Sequence, residues 1–402
     1  MPLAAPRISC LDLDTFFVSV ERVLDPSLEG KPVVVGGRPG QRGVVTACSY
    51  EVRALGVRSG MSLRDAGKLA PDAVYLPTRG GTYGEYAQQV RDIAARYSPV
   101  IRIASIDEFY MDFRGCESLY HRAGDDSPDA TILRVVRELT ATIKNELSLP
   151  ASAGIATSKS LAKIASGLAK PAGVLLVPAG EETRVLSPLP VRKLPGIGPV
   201  AEAKLARLGI THLGHVADTP LPVLRRVFGA WAEQVRRGAT GQGTGELGRE
   251  RPAFREHDPE GEVMGSISNE RTFREDVNDS RTIDRQLCGL TERVCWRARS
   301  RGVKARTVTL KLRYADFHTL SRSRTIAPTD SELELYAVVQ ELYRKGRTRR
   351  TAIRLLGISL SNLGLYDAQL PLFPRDERLH ETVDSIRARY GFDALRLAEG
   401  LK

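Results

Sequence analysis

Ile8-Ser-Cys-Leu-Asp-Leu-Asp-Thr-Phe-Phe-Val-Ser-Val-Glu-Arg-Val-Leu24 is the stretch on which the reading of the first half of the chain turns. Ile8–Asp12 is a short apolar run ending in an acid, which reads as a buried strand. Phe16–Leu24 then has helical spacing, and Pro26 stops it because proline has no N–H for the helical ladder. A strand that delivers Asp12 and Asp14 to the start of a helix is therefore predicted. Val100–Phe113, with Asp107-Glu108 at its centre, predicts a second acidic strand. Around these two, Pro32–Gly36 and Gly43–Ala47 read as strands. Tyr83, Tyr86, Val90, Ile93 and Tyr97 recur at helical spacing, as do Ile132, Val136, Leu139 and Ile143. The mixed order favours an α+β fold, with a split βαβ arrangement as one form of it, over a doubly wound sheet.

Outside that stretch, 42% apolar and 27% charged residues describe an ordinary globular chain. At roughly 100–200 residues per domain, 402 residues predict several domains with cores of their own. No run approaches the ~18 apolar residues of a membrane span, and Met1–Cys10 is too short and polar for a signal peptide. A cytoplasmic chain without membrane association is expected. Cys10, Cys48, Cys116, Cys288 and Cys295 are scattered and form no C-x-x-C pair, which argues against zinc and against a disulfide framework. The net charge is +11, and residues 281–360 alone hold 18 Lys/Arg against seven Asp/Glu, which accounts for all of it. Charge gathered in one segment is the footprint of a polyanion binder.

Three points punctuate the chain: Leu186-Ser-Pro-Leu-Pro190, the Gly-rich run Arg237–Gly245, and Pro371 with Pro374. Residues 191–236 read as all-helical. Within them Pro195-Gly-Ile-Gly198 is a hairpin between helices, and the backbone N–H groups at Gly196 and Gly198 suit a phosphate. In residues 260–363 a helical pattern (Ile283, Leu287, Leu290, Val294) precedes Ala305–Phe317. There Val308, Leu310, Leu312 and Tyr314 alternate with Thr307, Thr309, Lys311 and Arg313. A period of two predicts one apolar face and one basic, hydroxyl-bearing face, with Lys311 and Arg313 directed at phosphates. Beyond Pro374, Leu379, Val383, Ile386 and Tyr390 suggest a small terminal helix.

Carboxylates from two neighbouring strand ends are the donor set that Mg²⁺ prefers, and paired ions suit phosphoryl transfer. Tyr50, Arg53 and Lys163 offer a hydroxyl, a forked guanidinium and a point charge to a triphosphate. From these residues alone, a nucleotidyl cyclase and a non-catalytic DNA-binding protein remain open beside a polymerase.

Cys10–Glu21, Ser49-Tyr-Glu-Val-Arg53 with Gly56–Gly60, Ser105-Ile-Asp-Glu-Phe-Tyr-Met-Asp112, and Ala162-Lys-Ile-Ala165 with Ala169-Lys-Pro171 together resemble the Y-family DNA polymerases, and among them the bacterial DNA polymerase IV branch. The resemblance runs over nearly the whole chain in the family's order. It implies an α+β, multidomain right hand: a ferredoxin-like palm and fingers in 1–185 (fingers about 25–80), a helical thumb in 186–240, a linker in 241–259 and an α/β little finger in 260–363. Residues 364–402 would carry a clamp-binding peptide and a C-terminal helix. By the same resemblance Asp12, Asp107 and Glu108 are catalytic and, with the Leu13 carbonyl, hold two Mg²⁺ ions. Tyr50, Arg53 and Lys163 fall on triphosphate contacts, Phe16 and Phe17 on the nucleotide, and Phe17 on the steric gate against ribose. Gly196, Gly198, Lys311 and Arg313 fall on DNA contacts, and Gln369, Leu370, Leu372 and Phe373 on a sliding-clamp peptide. The implied activity is low-fidelity translesion DNA synthesis by a monomer, using primer-template DNA and deoxynucleoside triphosphates, without proofreading. Three positions depart from the family: Phe109 stands where a small Ala is usual, Thr15 where Ala is common, and Cys48 near the nucleotide pocket. They put the shape of that pocket in question.

Overall fold

A computed structural model describes residues 5–243, 247, 265–366 and 378–397. The chain divides into an N-terminal unit, Met1–Arg251, and a C-terminal unit, Pro252–Lys402.

The N-terminal unit opens with β1 (Ile8–Leu13), α1 (Phe16–Leu24), β2 (Val33–Val35), β3 (Ala47–Cys48), α2 (Tyr50–Ala54) and α3 (Leu63–Leu69). β4 (Val74–Leu76), α4 (Gly80–Ala94), β5 (Ile101–Ile103), β6 (Glu108–Asp112) and α5 (Glu117–Tyr120) follow. Then come α6 (Pro128–Leu147), β7 (Ala151–Ala156), α7 (Lys159–Ala169) and β8 (Val174–Leu176). Five strands form one mixed sheet in the order β5-β6-β1-β7-β8, with β1 antiparallel to both neighbours. Alternation along β1 sends Leu11 and Leu13 to one face, where α1, α4 and α6 close a core with Phe16, Val90, Ile132 and Leu139. Ile8 and Cys10 go to the other face, against Leu161 and Ala165 of α7. α7 lies so near the sheet that a Cβ on Gly154 would stand 2.2 Å from the Ala162 carbonyl oxygen. Only glycine permits that approach. Ser127 caps α6, accepting from the Ala130 amide at 3.1 Å, with Pro128 at the first helical position.

A second, three-stranded sheet, β3-β2-β4, packs on Val52, Val57, Leu63 and Ala66. The expected strand over Gly43–Ala47 is shorter than its pattern: Ala47–Cys48 alone pair with β2, while Val44 makes a single bridge to Ser62. α8 (Glu182–Leu186), α9 (Pro199–Ala206), α10 (Leu213–Asp218), α11 (Leu221–Phe228) and α12 (Ala232–Ala239) make residues 182–239 helical.

The C-terminal unit holds β9 (Ser266–Val277), α13 (Ser280–Arg299), β10 (Lys304–Tyr314), β11 (Thr319–Thr329), α14 (Glu332–Gly346), β12 (Ile353–Gly364) and α15 (Arg378–Tyr390). Its sheet is wholly antiparallel, in the order β11-β10-β12-β9. Val308, Leu310, Leu312 and Tyr314 pack on Leu287, Val294, Leu335 and Val339 of α13 and α14. The period-two strand ends at Tyr314; Phe317 belongs to the turn that follows. No helix among the described residues is long and apolar enough to cross a membrane.

Candidate active site

Asp12 and Glu108 are Cα partners in the β1–β6 register, and the Leu13 amide donates to the Asp107 carbonyl at 2.9 Å. Two strand ends thereby bring Asp12, Asp107 and Glu108 to one rim of the sheet. Lys163 of α7 donates to Glu108 Oε2, and Lys170, just past α7, donates to Asp12 Oδ1. Lys170 also stands 3.4 Å from Asp14 Oδ1. Ser105 Oγ donates to Asp107 Oδ1. Asp14 is buried and accepts from Ser152 Oγ and the Ala172 amide, both at 2.7 Å, and from the Tyr50 hydroxyl at 3.5 Å. The Arg53 guanidinium lies 5.2 Å from the Tyr50 ring centre. Tyr50, Asp14, Lys170 and Asp12 thus form a continuous polar path to Glu108 and Lys163.

Burial pushes the Asp12 carboxyl above its ordinary range; Lys170 opposes this, while the charges of Asp107 and Glu108 add to it. Burial by itself would lower the two ammonium groups. Glu108 outweighs it at Lys163 and Asp12 at Lys170, so both stay raised. Carboxylates that repel one another at hard oxygen donors are the condition a divalent cation relieves. Among the described residues no three acidic, imidazole or thiol groups form a ready-made cluster around an ion; two lysines supply the compensating charge instead. The oxygen donors fit a hard divalent cation by their chemistry and by this stand-in positive charge.

Phe17 is half-buried and stacks face to face on Tyr83, centroids 4.1 Å apart and planes 10° from parallel. The Tyr83 hydroxyl donates to Glu21 Oε1 at 2.7 Å, and buried Glu21 is held from the other side by Arg79 at 3.3 Å. Phe16 differs from its sequence reading as a nucleotide contact. Its side chain is buried in the core beside Leu11 and Tyr83, so it presents no surface to a nucleotide. Two of the three departures also lie in cores rather than on a pocket wall. Phe109 points to the face shared with Met111, and Cys48 sits among Val34, Val45 and Val52. Thr15 caps α1 at a left-handed φ of 46°, its hydroxyl 3.3 Å from Ser19 Oγ.

Gly196 and Gly198 form the turn into α9. At Gly196 φ is 94°, and a Cβ would stand 2.3 Å from the Trp231 ring, so packing requires glycine there as well as conformation. In the C-terminal unit, Lys311 and Arg313 occupy the solvent face of β10, where Thr307, Thr309, Ser321, Ser323 and Thr325 pair across β10 and β11. That face is richer in hydroxyls than in charge. Lys311 is bound to both oxygens of Glu270 at 2.8 and 3.0 Å, and Arg313 donates to Thr319 Oγ1 at 2.9 Å. Much of the segment's positive charge lies instead on α13, on the end of α14 and on the link to β12. Gln369, Leu370, Leu372 and Phe373 lie outside the described residues.

Lys170, Tyr83 and Glu21 carry no role in the sequence reading, and Asp14 enters it only as one of the acids at the end of the first strand. Lys170 had a signal, since it follows the motif helix; the partners of Tyr83 and Glu21 had none, because apolar spacing does not report a hydroxyl–carboxylate pair.

Residues 11–167 match the impB/mucB/samB family, residues 265–372 that family's C-terminal domain, and residues 180–210 the helix-hairpin-helix motif of the same family. A DNA polymerase IV of Dehalococcoides mccartyi is 38% identical over 405 aligned positions, covering 100% of this chain and 99% of that protein. A DNA polymerase IV of Streptomyces coelicolor is 38% identical over 90% of this chain and 72% of its own length. Among solved structures, the Y-family polymerase chimera Dbh-Dpo4(243-245)-Dbh has a TM-score of 0.75 at 25% identity, covering 90% of this chain and 100% of its own.

Proposed function

The chain belongs to the impB/mucB/samB family of Y-family DNA polymerases, and on that premise we propose that it extends a primer 3′ end past damaged template bases with low fidelity, by two-metal phosphoryl transfer and without proofreading. It is a DNA-directed DNA polymerase by membership. The observation that carries the finer reading is the Asp12–Glu108 register pair with its two lysines.

Asp12, Asp107, Glu108 and the Leu13 carbonyl would hold the ions. Bound Mg²⁺, two ions per site, supplies the Lewis acidity that makes the primer hydroxyl a nucleophile and stabilises charge on the transferred phosphate. Lys163 and Lys170 then yield carboxylate oxygens, freeing cationic groups beside the triphosphate path. Tyr50 and Arg53 meet phosphate oxygens at the far end of that path. The Phe17 ring, braced by Tyr83, lies under the sugar and excludes a 2′-hydroxyl by contact. Gly196, Gly198, Lys311 and Arg313 position DNA through its backbone. Gln369, Leu370, Leu372 and Phe373 dock on a sliding clamp: Gln369 fixes register by hydrogen bonds, the apolar residues fill a pocket, and Pro371 and Pro374 limit the ordering cost. The protein works as a cytoplasmic monomer.

Primer extension on a gel tests this, with Mg²⁺ present or chelated and deoxy- or ribonucleotides supplied. The parent should extend only with the metal and only with deoxynucleotides, and Phe17→Ala should accept ribonucleotides. Extension in full chelation would overturn the metal assignment. A folded Phe17→Ala with unchanged sugar selectivity would overturn the gate.

A further inference from the structure

Phe317 is 62% exposed at the tip of the β10–β11 hairpin, and its φ of 65° is a left-handed value that a bulky side chain avoids. Asparagine or glycine would take this position without strain. The turn is firmly built nonetheless: the Phe317 amide donates to the Tyr314 carbonyl at 3.0 Å, and the Tyr314 amide to the His318 carbonyl at 2.9 Å. Asp316 accepts from the His318 amide at 3.1 Å and pairs with Arg349 at 2.7 Å. One face of the Phe317 ring is covered by the Arg354 guanidinium, 4.4 Å from its centre. The rest of the ring meets solvent. Arg349, from the link before β12, also lies 5.3 Å from the ring centre of Tyr314 in the same hairpin, and Arg350, next to it in sequence, is exposed and has no ion pair among the described residues.

We propose that Phe317 and Arg354 form a plate on which an unpaired base of single-stranded DNA stacks, while Arg349 and Arg350 hold the flanking phosphates. An aromatic face backed by a guanidinium attracts a base whatever its sequence, and surrounding arginines match the strand's charge. Duplex DNA would use the arginines but not the ring, because its bases are already stacked. A protein partner would use the ring but has no need of the cation row. The exposed, strained aromatic is thus best matched by a template strand ahead of the primer end, and this rests on the polymerase reading above.

Fluorescence binding with the full-length protein separates the cases, using a primer–template with an overhang of about eight thymidines, the same DNA with an abasic overhang, and a blunt duplex. Phe317→Asn relieves the backbone and should not lower the melting temperature, yet it should weaken binding to the thymidine overhang roughly tenfold. It should leave the abasic and blunt DNAs within about twofold of parent. Phe317→Trp should keep the affinity and show quenched emission on the thymidine overhang only. Equal losses on all three DNAs, or no loss on any, would overturn the base plate. If the parent binds none of the three, the polymerase reading fails, and the plate with it.

Discussion

Lys163 and Lys170 each hold a carboxylate at the rim of the β1–β6 pair, whereas Arg299, Arg387 and Arg396 hold Glu292, Glu332 and Asp384 inside the C-terminal unit. The first set is open: the Lys163 side chain is 44% exposed, and each ammonium is a single point charge. The second is closed. Arg387 and Glu292 side chains are 1% and 0% exposed, and Arg387 donates to Glu332 at 2.6 Å, to Glu292 at 2.7 Å and to the Leu395 carbonyl at 3.1 Å. Glu292 also accepts from Arg396 at 3.0 Å and from the Leu397 amide at 2.8 Å. Phe392 lies over this network, 4.8 Å from the Arg387 guanidinium and 5.4 Å from the Trp296 ring. Arg299 and Arg387, forked donors with every nitrogen engaged, fix α15 on α13 and α14. Point charges at the rim of the sheet leave carboxylate oxygens that another cation can claim. Chemistry and anchorage thus use the same two charges with different cations.

The largest effect expected from breaking this contrast is on the open set. Asp12→Asn should cut primer extension about a thousandfold or more, because several kcal/mol of transition-state stabilisation go with the ligand. DNA affinity should stay near parent, since the positive charge for DNA lies in other residues. A filter-binding assay run beside single-turnover extension measures both, and near-normal extension would end the assignment.

Next is the closed set. Arg387→Met keeps much of the volume but leaves Glu292 and Glu332 each without a buried donor, which should cost roughly 3–5 kcal/mol. Hydrogen exchange on the full chain should show α13, α14 and α15 opening more readily while the amides of β1 and β6 keep their protection. Uniform loosening of both units, or a cost under about 1 kcal/mol, would mean that the network is not what holds α15.

Legibility followed the same divide. β1, α1, α4, α6, α13 and β10 were readable because apolar residues at period two or 3.6 report a buried face directly. The acids of the rim were readable because they interrupt such runs. The tail was half-readable: Leu379, Val383, Ile386 and Tyr390 mark a helix, and α15 is there, yet its most buried described residue is Arg387. No hydrophobic pattern can find an arginine that is inside because two glutamates are. The strand over Gly43–Ala47 failed for a related reason, since an apolar pair with one bridge resembles a strand until its pairing partner is known. Phe16 and Phe17 are adjacent aromatics that spacing alone does not separate, and only the family resemblance singles out Phe17; helical geometry turns one into the core and leaves the other at the edge.

The smallest effect sharpens the contrast most. Lys170→Arg keeps the charge beside Asp12 and Asp14 but replaces a point donor with a fork that can engage both acids at once. On the proposed reading a divalent ion must compete with that group for Asp12, so a fork should compete better. The Mg²⁺ concentration for half-maximal extension should therefore rise, by roughly threefold to tenfold, as expected for about 1 kcal/mol of added charge-assisted hydrogen bonding. The rate at saturating Mg²⁺ should stay close to parent, because the bound state no longer contains the Lys170–Asp12 pair. A titration of Mg²⁺ in single-turnover extension separates the two quantities. A lower plateau with an unchanged midpoint would assign Lys170 to the triphosphate instead of to Asp12 and Asp14. If neither moves, the choice of lysine at this rim is indifferent, and the contrast with Arg387 loses its chemical meaning.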